Sequence, residues 1–203
     1  MRLGAVLVAA LAVSGTLTPA TAGATCQTVC YDFDDLVLMN QYHVGDTFVA
    51  ADATIHLESY LRNGNLISLA GATAYANNSN IAKGTRPELR TYFITNRVVP
   101  DIPLTSVTFR FGQIVAPNGP DPHSNLGVNG DLREVAASLA TMNGQVIGDP
   151  ATGQAEVLVT LDAALPGSKN ILGTLELRAV SGTINDFTFG GVQLFIDDLC
   201  MKK

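Results

Sequence analysis

Apolar and polar residues alternate with a period of two along most of this chain, a pattern typical of half-buried β-strands. Val107, Phe109 and Phe111, for example, are separated by single polar residues, and residues 156–161 and 173–178 repeat the period. The pattern predicts about ten short strands, at residues 31–37, 47–50, 53–60, 90–95, 104–114, 125–129, 154–161, 171–180, 184–189 and 193–201.

Glycine, asparagine and proline separate the predicted strands. Asn129 and Gly130 suit a two-residue type I′ hairpin turn, and Asn63-Gly64 and Asn143-Gly144 are similar pairs. Only residues 132–142 have helical spacing, so a helix is predicted there. The small, polar stretch 70–87 predicts a long exposed loop and a binding edge. Many short strands with no helices between them favour an all-β fold, a two-sheet antiparallel sandwich.

The N-terminal segment has a different composition. Arg2 precedes an uncharged apolar run over residues 3–13, and Ala22, Gly23 and Ala24 form a small-x-small cleavage pattern. The run is shorter than the roughly 20 residues that a permanent membrane helix needs. We therefore predict a cleavable signal peptide at residues 1–24 and a single β-sandwich domain at 25–203. The protein is expected to be secreted to the cell exterior or to the periplasm.

Charge narrows the choice of partners. The chain has a formal net charge of −6, and removal of the signal with its one basic residue, Arg2, would make it −7. Nucleic acids and anionic membranes attract basic surfaces, so neither is expected as a partner. No second long apolar run follows residue 13, so no membrane span is expected after signal cleavage.

The three cysteines lie at the two ends of the predicted domain. In an oxidising compartment Cys26, Cys30 and Cys200 are expected to be bridged rather than catalytic. We favour a disulfide between Cys30 and Cys200, since each flanks an acidic strand. A local bridge between Cys26 and Cys30 is the alternative, and either pairing leaves one thiol over.

Two acidic segments stand at opposite ends of the domain, at residues 31–36 (YDFDDL) and 194–200 (LFIDDLC). Together they resemble secreted jelly-roll domains of the carbohydrate-binding-module type, which often open with a strand ending in Phe-Asp or Phe-Glu. Such domains often close with aromatic-Ile-Asp-Asp-aliphatic. The opening segment and the following VGDTF at 44–48 are also similar to secreted bacterial proteins of unassigned function. The resemblance implies a jelly roll whose terminal strands are neighbours.

In that family, carboxylates from both terminal strands bind a structural calcium ion. Calcium relieves the repulsion between carboxylates, since it takes six to eight oxygen ligands. By position in the motif, Asp34 and Asp197 match the family's ligands, and Asp32 and Asp198 are further candidates. The alternative is that these acids are solvated or cap nearby turns.

A glycan-binding surface usually combines aromatic rings with a few polar groups. The chain has no Trp, and the best contact candidates lie in or near the predicted loops. These candidates are Tyr42, Tyr60, Tyr75, Arg86 and Arg90. Packing on the edge of the sandwich is the alternative role for the same residues.

Catalytic motifs are missing from the sequence. It contains no Gly-x-Ser-x-Gly, no His-Glu-x-x-His and no paired Cys-x-x-Cys. We therefore expect a non-catalytic binding protein for an extracellular glycan or matrix component, with structural calcium as its only cofactor. A self-assembling subunit of a surface layer, filament or biofilm matrix is the alternative, and an accessory hydrolase comes third. The ligand and the oligomeric state stay open.

Overall fold

The computed structural model describes residues 27–84, 87–115, 122–163 and 169–203. Within these residues the protein is all-β, as predicted, with fourteen strands rather than about ten and one 3₁₀ turn at Leu139–Met142. The strands are β1 (Thr28–Tyr31), β2 (Gln41–Tyr42), β3 (Thr47–Ala50), β4 (Ala53–Arg62), β5 (Asn65–Ile67), β6 (Thr73–Asn77), β7 (Glu88–Pro100), β8 (Ser106–Gln113), β9 (Ser124–Val128), β10 (Asp131–Val135), β11 (Val146–Asp149), β12 (Gly153–Leu161), β13 (Ile171–Gly182) and β14 (Phe187–Lys202).

Every pairing between these strands is antiparallel. The main path of the sheet runs β11-β12-β13-β8-β14-β7-β4-β3. The long central strands β7 and β14 pair along most of their length and take part in both layers of a sandwich. Each changes its second neighbour part-way: β7 passes from β6 to β4, and β14 passes from β9 to β8.

The two layers enclose one hydrophobic core. The core is made of inward-pointing residues from both layers, including alternate residues of β4, β7, β8, β12, β13 and β14. The rings of Phe109 and Phe189, whose centroids are 5.5 Å apart, connect the layers. Both rings are completely buried, so the period of two in the sequence correctly identified the core-facing side of these strands.

The two ends of the described chain meet. Strand β1 pairs with the last residues of β14, and Cys30 lies directly opposite Cys200. Their Cα atoms are 4.0 Å apart and a disulfide joins them, which confirms this pairing over the local alternative. Cys26 and the predicted signal at residues 1–24 lie outside the described residues.

Three local predictions were wrong. Residues 132–142 form no α-helix: Asn129 and Gly130 make a hairpin turn, both with positive φ, and pair β10 with β9 before the 3₁₀ turn begins. The stretch 70–87 is not all exposed loop, because β6 lies within it and buries Ala74 and Ala76. The strands predicted at 184–189 and 193–201 are one strand, β14, interrupted by a bulge.

Candidate ligand-binding site

A hairpin formed by the end of β4 and by β5 crosses the outer face of the sheet; we call residues 60–67 the arm. Asn63 and Gly64 turn it, both with positive φ, as a type I′ turn requires. At its base, the side chain of Asn125 on β9 accepts the Leu61 N–H (2.7 Å) and donates to the Leu61 carbonyl (2.8 Å). At its tip, Glu134 on β10 accepts the Gly64 N–H at 3.1 Å. The arm is therefore held at both ends.

Beside the arm lies an open cleft of about 590 Å³. Strands β4, β7, β9, β10 and β14 form its floor, Leu66 of the arm is part of one wall, and the turns before β3 and β10 provide the rim. Its apolar lining includes Val44, Leu66 and Leu132, and its polar lining includes Glu58, Arg97 and Asp186. The volume lies in the range of small-molecule sites, roughly 300–1,000 Å³.

Arg97 is the central polar group of the cleft. Its guanidinium donates to Asp186 at 3.1 Å and lies 3.8 Å from the Glu58 carboxylate. The hydrogen bond to Asp186 is the main reason that the pKa of Arg97 lies above its usual value. The Arg97 side chain is nevertheless 41 % exposed, so guanidinium N–H groups and a carboxylate face the same space. The guanidinium can donate hydrogen bonds to a polyhydroxylated ligand, and the carboxylate can accept them.

Sequence patterns did not indicate this cleft. Glu58 and Arg97 are outward-facing residues of β4 and β7, where polar residues are expected. Nothing in their spacing shows that the arm lies beside them. One signal was present, because Asn63-Gly64 was identified as a hairpin turn. The position of that hairpin on the sheet depends on its hydrogen bonds to Asn125 and Glu134. Both residues are more than 60 positions away from their partners along the chain.

Of the predicted ligand contacts, the structure brings Tyr75 and Arg90 together on the outer face of β6 and β7. The Arg90 guanidinium lies between two rings, 5.5 Å from the centroid of Tyr75 and 5.4 Å from that of Phe195, and donates to the Tyr75 hydroxyl. A shallow depression of about 270 Å³ adjoins them, also lined by Gln41, Thr73 and Tyr92.

The other predicted contacts lie elsewhere. Tyr60 is completely buried and its ring meets Phe93 edge-on, so it does not reach the surface. Tyr42 is half-buried and packs on Phe48, with ring centroids 5.0 Å apart. Arg86 lies outside the described residues.

The acidic ends of the chain are adjacent, but their side chains have different surroundings. Asp32 and Asp34 are exposed, whereas Asp198 is partly buried. Desolvation and repulsion by Asp32, Asp198 and Asp35 raise the pKa of Asp34. The neighbouring carboxylates are therefore close enough to disfavour the charged form of Asp34.

Asp197, by contrast, is completely buried. It accepts the Asp198 N–H at 2.8 Å, and Gly84 packs so closely that an added Cβ would lie 2.4 Å from its Oδ2 atom. Burial raises the pKa of Asp197 to about 7; the Asp198 N–H lowers it, and Asp198, Glu88 and Asp34 raise it through repulsion. This acid is therefore buried beneath Gly84, whereas Asp32 and Asp34 face solvent.

Glu88 holds residues 78–84 against the sheet. Its completely buried carboxylate accepts the backbone N–H groups of Ile81 and Ala82, both at 2.7 Å, and the Ser79 hydroxyl. Arg110 adds a hydrogen bond to the Ala82 carbonyl at 2.8 Å. These contacts give the Glu88 carboxylate a structural role. Its position in the sequence, directly after the predicted loop 70–87, did not indicate this role.

Among the described residues, no group of three or more His, Cys, Asp or Glu side chains is arranged to hold a metal ion. The same residues contain no helix of the length and apolarity needed to cross a membrane. Comparison with protein-family models, curated proteins and solved structures finds no match.

Proposed function

We propose that this protein is a secreted, non-catalytic binding protein that takes a segment of an extracellular glycan into the cleft beside the arm. The observation that carries the proposal is the exposed Arg97 guanidinium, set between the carboxylates of Asp186 and Glu58 on the floor of a 590 Å³ cleft. Directional donors and acceptors suit sugar hydroxyls, and the Leu66 and Val44 side chains offer apolar contact to ring C–H groups.

The arm supports this proposal because it pre-forms the cleft. Both ends of the arm are hydrogen-bonded, so a ligand would not need to order it. A pre-formed site avoids part of the conformational entropy that binding otherwise costs. The proposal also includes secretion, a jelly-roll order of strands and the absence of catalysis. The Cys30–Cys200 disulfide is compatible with secretion into an oxidising compartment.

Two exposed leucines allow a matched test. Leu66 lines the cleft and is 66 % exposed, whereas Leu69 is 45 % exposed and does not line it. We expect the purified protein to retain a glycan from a polysaccharide panel, and Leu66→Ala to bind it several-fold more weakly while Leu69→Ala binds normally. Equal effects of the two substitutions would place the ligand elsewhere, and no retention of any glycan would refute the proposal.

Tyr75 and Arg90 enter the proposal as part of a second, shallower contact surface. The depression beside Tyr75 contains an exposed ring, Tyr92, and an amide, Gln41, which are groups that sugars contact. Tyr92→Ala is expected to weaken glycan retention if the ligand extends onto this surface. Unchanged retention would confine the ligand to the cleft.

Structural calcium is the third part of the proposal. Its support is the repulsion of Asp34 by the Asp32 and Asp198 carboxylates, which a divalent cation would relieve. The enclosure of Asp197 by Gly84 makes the exposed acids the first ligands to test. No step of glycan binding depends on this ion.

Self-assembly is the second candidate function, and one observation favours it. Val37, Leu38 and Met39 form a run of exposed apolar residues beside the short strand β2, with Val37 70 % exposed. Apolar patches on a surface often mark protein contacts. Analytical ultracentrifugation over a range of concentrations separates the candidates: a strict monomer would refute assembly, and oligomers abolished by Leu38→Ser would support it.

A further inference from the structure

The cleft is lined mainly by negative charge. Among the described residues that line it, Glu58, Asp131 and Asp186 are acidic and Arg97 is the one base. Arg133 lies just outside and pairs with Asp131 at 2.8 Å, so the local balance remains negative even when this residue is counted. The chain as a whole has a net charge of −6, which adds to the negative potential.

The three acids are not equally engaged. Asp186 accepts from Arg97, and Asp131 accepts from Arg133 and from the Gly148 N–H. The Glu58 side chain is 44 % exposed, and its carboxylate lies 3.8 Å from Arg97, beyond hydrogen-bond distance. Within the described part of the chain this carboxylate accepts no hydrogen bond, so its lone pairs are available to a ligand.

We propose that the cleft selects sugars that carry a free amine, with the Glu58 carboxylate accepting an N–H of the ligand's ammonium group. This rests on the proposed glycan-binding function and names its ligand class. Arg97 has a second role here, as a positioning residue: its contacts with Asp186 and Glu58 keep both carboxylates at the cleft floor. A charged hydrogen bond of this kind is stronger than a neutral one.

The test compares two ligands that differ at one functional group. Calorimetry would measure binding of a β-1,4-linked glucosamine oligomer, which has free amines, and of the same oligomer fully N-acetylated. We expect the free-amine oligomer to bind about tenfold or more tightly, with an affinity that falls as sodium chloride is raised because the contact is ionic. The comparison alters only the ligand, so it does not depend on how any variant folds.

Two single substitutions test whether the preference for the free-amine oligomer arises in the cleft. Glu58→Gln keeps the side-chain shape and is expected to remove most of the preference for the free amine. Glu176→Gln is the matched control, because Glu176 pairs with Arg178 on β13 in the other layer; it should leave the preference intact. Melting curves of both variants would establish that they fold.

Each contrary result has a distinct meaning. Equal affinity for the two oligomers, or a preference that survives Glu58→Gln, would overturn the inference but leave glycan binding in place. Failure of both oligomers and of every other glycan would overturn the proposed function itself. Binding of oligolysine as tightly as the free-amine oligomer, with the same dependence on Glu58, would overturn the assignment to sugars.

Discussion

Phe93 and Gln193 are bulge residues at the same place in the register of the two central strands, β7 and β14. Both have positive φ, 52° and 56°, and each is skipped in the register where Gly191 faces Ile94, Val192 faces Tyr92 and Leu194 faces Thr91. At this point β7 exchanges β6 for β4, and β14 exchanges β9 for β8. The double bulge is therefore where the sheet passes from one layer of the sandwich to the other.

The bulge predicts how position 193 tolerates substitution. A β-branched residue is strained at positive φ, whereas glycine is not. Gln193→Val should lower the free energy of unfolding by about 1–2 kcal/mol, and Gln193→Gly should change it much less. Urea denaturation of the two variants checks this. If valine were tolerated as well as glycine, the positive φ would not be required there.

The disulfide should stabilise the joined ends. Cys30 and Cys200 are 170 residues apart in sequence, so their bridge restricts the unfolded chain strongly. Replacing both by serine should cost about 2–5 kcal/mol. Thermal melting with and without a reductant measures the loss: reductant should lower the melting temperature of the native protein and leave that of the double variant unchanged. An effect of reductant on the variant would contradict this assignment.

Glu134 should make the attachment of the arm sensitive to acid. Backbone hydrogen bonds from Asn63 and then Gly64 lower the pKa of this carboxyl, and the positive charge of His123 and Arg62 lowers it further. A group with a lowered folded pKa stabilises the folded state above its unfolded pKa, here 4.5, and this contribution is lost as pH falls through the lower folded value.

The corresponding measurement is hydrogen exchange at the Gly64 amide. We expect exchange to quicken as pH falls below the unfolded pKa of 4.5 and through the lower folded value, after correction for intrinsic rates, and to be fast at all pH values in Glu134→Ala. Glu156→Ala is the control, because Glu156 lies on β12 and makes no contact with the arm. Arm protection that did not depend on Glu134 would show that Asn125 alone holds it.

Glu88 should be essential for holding residues 78–84 against the sheet. Glu88→Gln replaces one acceptor oxygen with an NH₂ group facing a backbone N–H, so a buried donor loses its partner. The expected loss is about 1–3 kcal/mol. Denaturant melts give the loss in stability, and faster exchange at the Ile81 and Ala82 amides would localise it. Slow exchange at both amides in the variant would contradict the role given to Glu88.

Calcium binding can be measured through stability. If the exposed acids bind calcium, melting in excess calcium should occur at a higher temperature than melting in chelator, because a ligand that binds only the folded state stabilises it. Combining Asp34→Asn with Asp198→Asn should abolish the difference, while Asp101→Asn, at an exposed acid elsewhere, should keep it. Equal melting temperatures of the native protein in both conditions would refute the calcium proposal.

Much of this architecture follows from local patterns. Residues that alternate with period two must place one set inward, so Val107, Phe109 and Phe111 identified a core strand without reference to any neighbour. Positive-φ turns at Asn63 and Asn129 also follow from local chemistry, because the following glycine permits them. Strands of two to five residues, such as β2 and β6, are too short to show a period.

The candidate site was decided by tertiary structure. The sequence by itself determined that the chain is all-β and placed acids and cysteines at its two ends, and the pairing of Cys30 with Cys200 followed once those ends met. It did not determine that the arm crosses the sheet to Asn125 and Glu134, that Asp197 is enclosed by Gly84, or that Glu58 and Arg97 share a cleft. These relationships depend on contacts between distant segments, which no local periodicity encodes.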